Sequence, residues 1–424
     1  MRLNMMISTK ARRAFLLGGF AASLALSGTR PALGQWPQWG GPNRDFVAKA
    51  ADLASSWSEG GPKKIWSRSL GDGYSAIAME GDVLFTMYLK DKKNIIVALK
   101  ASTGETVWEY EHAGTVPEGI ETRFGIGPRS TPTIAKGNVY ALSFDGLLTC
   151  LNKSTGEVVW SHDLMKEFGA KSPEFGFSSS PIVYKNTLVV AVGGKGCGLI
   201  TFDLDSGSVA WKKHDFENLY SSPIVINVGG EDQIVLLTDQ EVVGVSAKNG
   251  DMRWTFPHIN QWKTNIITPL WGEDGLLYVA SSGEAGSRML KLTRNGAKTE
   301  AKEVWASRKM KTGHGNAVRV GDHVYGVGGY QNAATISAIN ALTGEIAWQE
   351  KEKGYSAGTL VYADKKLFLL KDDGSLSLMV PSPKGLEIKS NVQLLKENAW
   401  AMPTIAGKRM FVRDTENIMA LDLG

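Results

Sequence analysis

The sequence predicts an all-β fold: an eight-bladed β-propeller of four-stranded antiparallel blades, closed by pairing of N- and C-terminal strands. Three observations predict it. A Gly-x-x-x-Trp unit recurs at intervals of 40 to 52 residues. Short β-rich runs bounded by turn residues fill the intervals. The two ends of the chain read as complementary halves of one unit.

The unit is plainest in STGETVW, STGEVVW and LTGEIAW, which end at Trp108, Trp160 and Trp348. DSGSVAW and KNGDMRW end at Trp211 and Trp254, and distorted copies end at Trp66 and Trp305. A weak eighth copy has Ile388 in the Trp slot. A period of this size marks a repeated supersecondary unit. The Gly supplies a tight turn with φ > 0. The Trp that follows opens the outermost strand, where its large apolar area can wedge against the next blade. Trp66, Trp108, Trp160, Trp211, Trp254, Trp305 and Trp348 are therefore expected to be structural inter-blade residues rather than ligand contacts.

Between the turns come strands that open with small or polar residues, such as STPTIAK (130–136), SSSPIVY (178–184), SSPIVIN (221–227) and AMPTIAG (401–407). Hairpin strands such as NVYALSF and GLLTCLN follow. No sustained 3.6-residue period is present, so little helix is expected. Four strands per 40–52 residues make one blade. The chain stops at the Ala420-Leu421-Asp422 slot, before any outer strand, while Lys63-Lys64-Ile65-Trp66 is an outer strand with no unit before it. Joining the two closes the ring and removes an open edge.

The pattern around Ala98, Thr103-Gly104 and Trp108, repeated at Cys150-Leu151-Asn152 to Trp160 and Ala338-Ile339-Asn340 to Trp348, resembles the tryptophan-docking repeat of pyrroloquinoline-quinone-type propellers. WPQWGGPNRD (36–45) is similar to the opening of exported bacterial proteins with this repeat. The resemblance spans about residues 36–424. It implies one of two functions. One is a BamB-like, non-catalytic binding or scaffold protein of the cell envelope. The other is a minimal pyrroloquinoline-quinone-dependent alcohol or sugar dehydrogenase, which would hold the quinone with calcium in the ring centre. The chain lacks the adjacent Cys-Cys pair and the Cys-x-x-Cys-His haem motif of the dehydrogenases, and it lacks the lipobox cysteine of the scaffold group. The binding or scaffold role is expected.

Residues 1–34 read as an export signal, with Arg12-Arg13 ahead of the apolar run Phe15–Leu26 and small residues before Gln35. The paired arginines resemble a twin-arginine signal, a general secretory signal being the alternative. Residues 35–58 form an N-terminal extension and residues 59–424 a single propeller domain. Cleavage near Gly34–Gln35 would deliver a monomer to the periplasm or the exterior. The net charge of +4 falls to −1 once the five bases of 1–34 (Arg2, Lys10, Arg12, Arg13, Arg30) are set aside, so no nucleic-acid partner is implied. No segment of the mature chain is apolar enough to span a bilayer. Cys150 and Cys197 occupy unlike repeat positions, which favours two free thiols over a bridge.

Several motifs point to chemistry and are set aside. Gly354-Tyr355-Ser356-Ala357-Gly358 matches a nucleophile elbow, but strand-like sequence follows it instead of a helix. GGKGCG (193–198) reads as a hairpin loop for the same reason. His112, His162, His214 and His258 lie on different blades, too far apart to share an ion. No catalytic residue and no metal site is expected. The candidate ligand site is the mouth of the central channel, where the inner strands begin. There the sequence places Tyr74, Arg123, Arg129, Phe177, Tyr220, Trp262, Lys263, Asn265, His314, Asn316, Tyr355 and Trp400. Aromatic faces with basic groups suit a small planar anion or a segment of an envelope protein partner.

Overall fold

In the computed structural model, described for residues 35–217, 220–330, 333–396 and 398–424, eight sheets carry an antiparallel four-stranded blade each. Blade 1 comprises Ala78–Glu80, Val83–Lys90, Lys93–Lys100 and Thr106–Ala113. Blades 2 to 7 follow in chain order, starting at Thr133, Ile182, Ile224, Leu270, Ala317 and Gly358. Among the described residues one helix is present, the five-residue turn Leu164–Phe168. The export-signal reading of residues 1–34, with Arg12-Arg13, lies outside the described residues.

Blade 8 is built from both ends of the chain. Thr404–Ala406, Arg409–Arg413 and Asn417–Asp422 supply three strands, and Lys63–Ser69 supplies the fourth by antiparallel pairing with Asn417–Asp422. The seam between blades 8 and 1 is tied by Arg413. Its wholly buried guanidinium donates to the carbonyls of Gly71, Gly73, Ser75 and Met87 and to Thr86 Oγ1. Burial lowers its pKa to about 10, opposed by the charges of Asp414 and Asp72, and the carbonyl array solvates the guanidinium.

The repeated Trp docks as the repeat suggests, with one addition. In blades 8, 1, 2, 3 and 5 the ring rests on the turn glycine of the next blade. A Cβ on Gly104, Gly156, Gly207, Gly250 or Gly344 would lie 2.6–2.7 Å from Trp66, Trp108, Trp160, Trp211 or Trp305. These glycines also sit at φ 72–76°. Gly is thus required twice, by the backbone and by the neighbouring indole. Five indoles then donate to a carbonyl of the following blade: Trp66 to Ala101, Trp108 to Lys153, Trp160 to Leu204, Trp305 to Ala341 and Trp348 to Ser382. Trp254 differs, donating to Gln233 Oε1 within its own blade. A bulge falls beside each of these tryptophans; in Lys63–Ser69 it lies between Lys64 and Trp66. The extra residue turns the indole inward and leaves its predecessor outside. Ile65, Val107, Val159 and Val304 are accordingly 39–46% exposed.

The core lies between blades. One apolar cluster joins blades 2 and 3 through Tyr140, Leu148, Leu188 and Phe202, and another joins blades 4 and 5 through Val235, Leu237, Leu277 and Val279. Around the axis, small polar residues link inner strands. Thr131 N donates to Ser180 Oγ, Ser180 N to Ser222 Oγ, and Ser221 Oγ to the Ile267 carbonyl. Cys150 and Cys197 are buried free thiols.

Residues 36–48 close one end of the axis. Trp36 exchanges backbone hydrogen bonds with Met79 of blade 1, and Ile134 N of blade 2 donates to the Pro37 carbonyl. Val47–Ala48 adds a parallel strand inside Gly358–Ala363 of blade 7. Arg44 is buried and donates to the carbonyls of Ser180, Pro181 and Pro223, from blades 3 and 4. Its pKa falls to about 9 through burial.

Candidate functional site: the axial cup

Above this plug the inner-strand approaches form a cup of about 200 Å³. All eight blades line it. Its wall contains Tyr74 of blade 1, Phe124 and Arg129 of blade 2, Phe175 and Ser178 of blade 3, Tyr220 of blade 4 and Thr264 of blade 5. His314 and Gly315, Ala357 to Thr359, and Ala399 with Trp400 complete the circle, and Trp39 of the plug also lines it. Trp39 is held by its indole N–H, which donates to Thr268 Oγ1 at 2.8 Å.

The wall is a continuous aromatic arc. Tyr74 and Trp400 have ring centroids 4.9 Å apart, Trp400 and Phe124 5.4 Å, Phe124 and Phe175 5.8 Å, and Phe175 and Tyr220 5.9 Å. Tyr74 Oη donates to the Phe124 carbonyl at 2.7 Å, which fixes two members of the arc. Burial raises the Tyr220 phenol to about 12, so it is neutral near pH 7. Arg129 lies 5.6 Å from the Tyr74 ring centroid and donates Nη2 to the Gly125 carbonyl. Its Nη1 is buried without a hydrogen-bond partner among the described residues, as is Ser178 Oγ. Desolvation lowers the Arg129 pKa from its ordinary value, and the guanidinium still carries its charge near neutrality. His314 stands 6.5 Å from Trp400, ring to ring. Burial lowers its pKa, opposed by Asp372, so the imidazole is mainly neutral near pH 7.

Of the residues predicted for the mouth, the structure brings together Tyr74, Arg129, Tyr220, His314 and Trp400. Arg123 is displaced outward and stacks over Phe124 and Phe175 at 5.0 and 5.9 Å. The others lie elsewhere. Phe177 is wholly buried in the core between blades 2 and 3, because Gly176 at φ 76° turns the chain and sends Phe175 to the cup instead. Asn316 is buried and binds the Leu360 backbone through both its amide nitrogen and its oxygen. Tyr355 is buried beneath Lys371, whose Nζ lies 4.7 Å from its ring centroid. Trp262 and Lys263 are exposed on a loop, whose later residues Thr264 and Ile266 reach the cup. Phe124, Phe175 and Trp39 were not singled out by the sequence. WPQWGGPNRD was the signal available for Trp39, but it carries no repeat that places it on the axis.

Asn265 belongs to a buried polar chain. It accepts from Ser281 Oγ at 2.5 Å and donates to the Thr238 carbonyl, while Ser281 Oγ also meets His258 Nε2 at 2.9 Å. Desolvation, followed by Arg288, lowers the His258 pKa to about 3. The unfolded chain takes up this proton near pH 6.5, and the folded chain does so only near pH 3. Stability is therefore expected to fall as pH drops through that window, at up to about 1.4 kcal/mol per unit. His258→Gln should flatten the dependence in urea melts taken from pH 7 to pH 4.

The cup offers a guanidinium, hydroxyls and aromatic faces, and among the described residues no carboxylate lines it. Among the described residues no group of three His, Cys, Asp or Glu side chains could hold a metal. Calcium needs six to eight oxygen ligands, with carboxylates prominent among them. The residues present do not fit a quinone held with calcium. No helix of the described residues is long and apolar enough to cross a membrane.

Comparison with known proteins agrees with the fold. A sequence profile described as "Outer membrane protein assembly factor BamB" matches residues 92–329 and 280–423. Outer membrane protein assembly factor BamB of Shewanella oneidensis is 22% identical over 376 residues, covering 84% of this chain and 88% of that protein. The dehydrogenase subunit of a quinone alcohol dehydrogenase from Gluconacetobacter polyoxogenes is 26% identical over 203 residues, covering 45% of this chain. That match takes in 26% of the relative's own length. Among solved structures, BamB from Moraxella catarrhalis superposes with a TM-score of 0.59 at 16% identity, covering 85% of this chain and 99% of that one. Quinohemoprotein alcohol dehydrogenase from Comamonas testosteroni gives 0.64 at 12% identity, covering 92% and 80%. The structural likenesses establish the propeller alone. With the profile spanning most of the chain, this protein belongs to the family described as outer membrane protein assembly factor BamB.

Proposed function

We propose that this chain is an exported propeller of the cell envelope that works by binding, and that its axial cup holds a carboxylate attached to a flat apolar body. Residues 1–34 are the export signal, 35–58 the extension that plugs the axis, and 59–424 the propeller. A mature N-terminus at Gln35 in the exported fraction checks that division. The observation that carries the binding reading is Arg129. Its Nη1 is buried in the cup wall without a hydrogen-bond partner among the described residues, between aromatic faces that give stacking area. An unpaired buried donor is costly, and an anion in the cup would satisfy it.

The dehydrogenase alternative requires carboxylates for calcium, and none lines the cup among the described residues. Calorimetric titration with pyrroloquinoline quinone, with and without calcium, tests the two readings together with dye-linked alcohol oxidation. The binding reading expects no calcium requirement and no oxidation of alcohol. Calcium-dependent quinone binding with dye reduction would overturn it in favour of the enzyme.

A further inference from the structure

The loop between blades 4 and 5 presents two large apolar side chains to solvent. Ile259 is 62% exposed and Trp262 65%, more than any other large apolar residue among those described. The loop holds a fixed shape. Asn260, itself buried, accepts from Trp262 N at 3.0 Å and donates to the Thr264 carbonyl, and its own carbonyl accepts from Lys263 N. Lys263 adopts φ 48°, which sharpens the turn. An indole held rigidly in water gains nothing for the fold, and such anchors are enriched at the centres of interfaces.

The surroundings are basic. Trp262 leans on Gly283, where an added Cβ would lie 3.1 Å from its ring. The segment after blade 5 packs against the same place: Gly313 abuts Ser282, and Arg308 pairs with Glu284 at 3.3 Å. Residues 259–263, 282–284 and 308–311 together carry Lys263, Arg308, Lys309 and Lys311 against a single carboxylate, Glu284. Lys263, Lys309 and Lys311 are exposed, and among the described residues none of the three has an ion-pair partner. Thr264, at the end of the loop, lines the cup, so this patch lies on its rim.

We infer that this rim is a docking site for an acidic segment of a protein partner, with one large apolar side chain seated against Trp262 and Ile259. The inference rests on the reading of the chain as a binding protein, and it specifies the chemistry of the partner. Charge complementarity selects the occupant: carboxylates would meet the unpaired lysines while the apolar residue covers the indole.

The test is a random peptide library displayed on phage, panned on the mature protein. Enriched peptides should combine Asp or Glu with a large apolar residue. Their affinity should fall at least tenfold in Trp262→Ala and in the double variant Lys263→Glu/Lys311→Glu, both of which alter exposed side chains and should keep the wild-type melting temperature. Binding of small carboxylates in the cup should be untouched by Trp262→Ala, so loss of the peptide result alone defeats this inference and leaves the cup reading standing. Neutral or basic enriched peptides, no enrichment, or affinities indifferent to Trp262→Ala would overturn it. So would a concentration-dependent dimer in sedimentation velocity that Trp262→Ala abolishes, because the face would then belong to a second copy.

Discussion

Deletion of residues 412–424 is expected to abolish soluble, folded protein. The deletion removes Asn417–Asp422, the strand that pairs with Lys63–Ser69, and it removes Arg413. Blade 8 would lose its third strand and its hold on the fourth. The carbonyls of Gly71, Gly73 and Met87 would lose their buried donor at the seam with blade 1. A ring has no redundancy here, because opening one seam exposes two blade faces and a sheet edge. The single substitution Arg413→Met isolates the seam from the strand, and about 3–5 kcal/mol of stability should go with it, by analogy with removing one partner from a buried charged network. Soluble expression and urea melts check both. Wild-type melting of the truncated chain would contradict closure through the termini.

Trp160→Ala should cost about 3–5 kcal/mol. The indole packs on Tyr140 and Phe202 at 5.8 and 6.1 Å, and its N–H donates to Leu204 of the next blade. Removing it opens a cavity between two blades and leaves the Leu204 carbonyl with only the Tyr140 hydroxyl as a side-chain donor. Gly207→Val attacks the same contact from the other side. Its Cβ would lie 2.7 Å from Trp160, and its backbone sits at φ 72°, where a β-branched residue is strained. Both variants should melt earlier than wild type by denaturant titration, and the double variant should cost less than the sum of the singles because they share one interface.

The parts of the fold that repeat could be read from the sequence. Gly207 and Trp160 belong to a pattern that recurs eight times, so their spacing reveals the turn and the wedge before any coordinates. The orphan strand at Trp66 and the unfinished strand at Asp422 reveal closure for the same reason. The second duty of the glycine, as a seat for the preceding indole, was not legible, because it depends on a residue 38 to 48 positions away. The cup was legible only in part. Tyr74, Arg129 and Trp400 could be placed at inner-strand starts by alignment of the repeats. Phe175 and Phe177 could not be told apart, since a single left-handed glycine between them decides which one faces the axis. Trp262 and Thr264 pose the same difficulty on a loop whose turn is set by Asn260. Trp39 was out of reach because the plug occurs once and has no repeat to register it.

Arg129 is proposed to act as a carboxylate clamp within an aromatic cup. The most direct measurement is calorimetric titration of the mature protein with an aromatic carboxylate and its isosteric amide, such as phenylacetate and phenylacetamide, repeated on Arg129→Ala. A charge-assisted hydrogen bond is worth roughly 1.5–3 kcal/mol, so the carboxylate should bind about ten- to a hundredfold tighter than the amide, and the preference should vanish in the variant. Equal binding of the two ligands by the wild-type protein, or a carboxylate preference that survives Arg129→Ala, would contradict it.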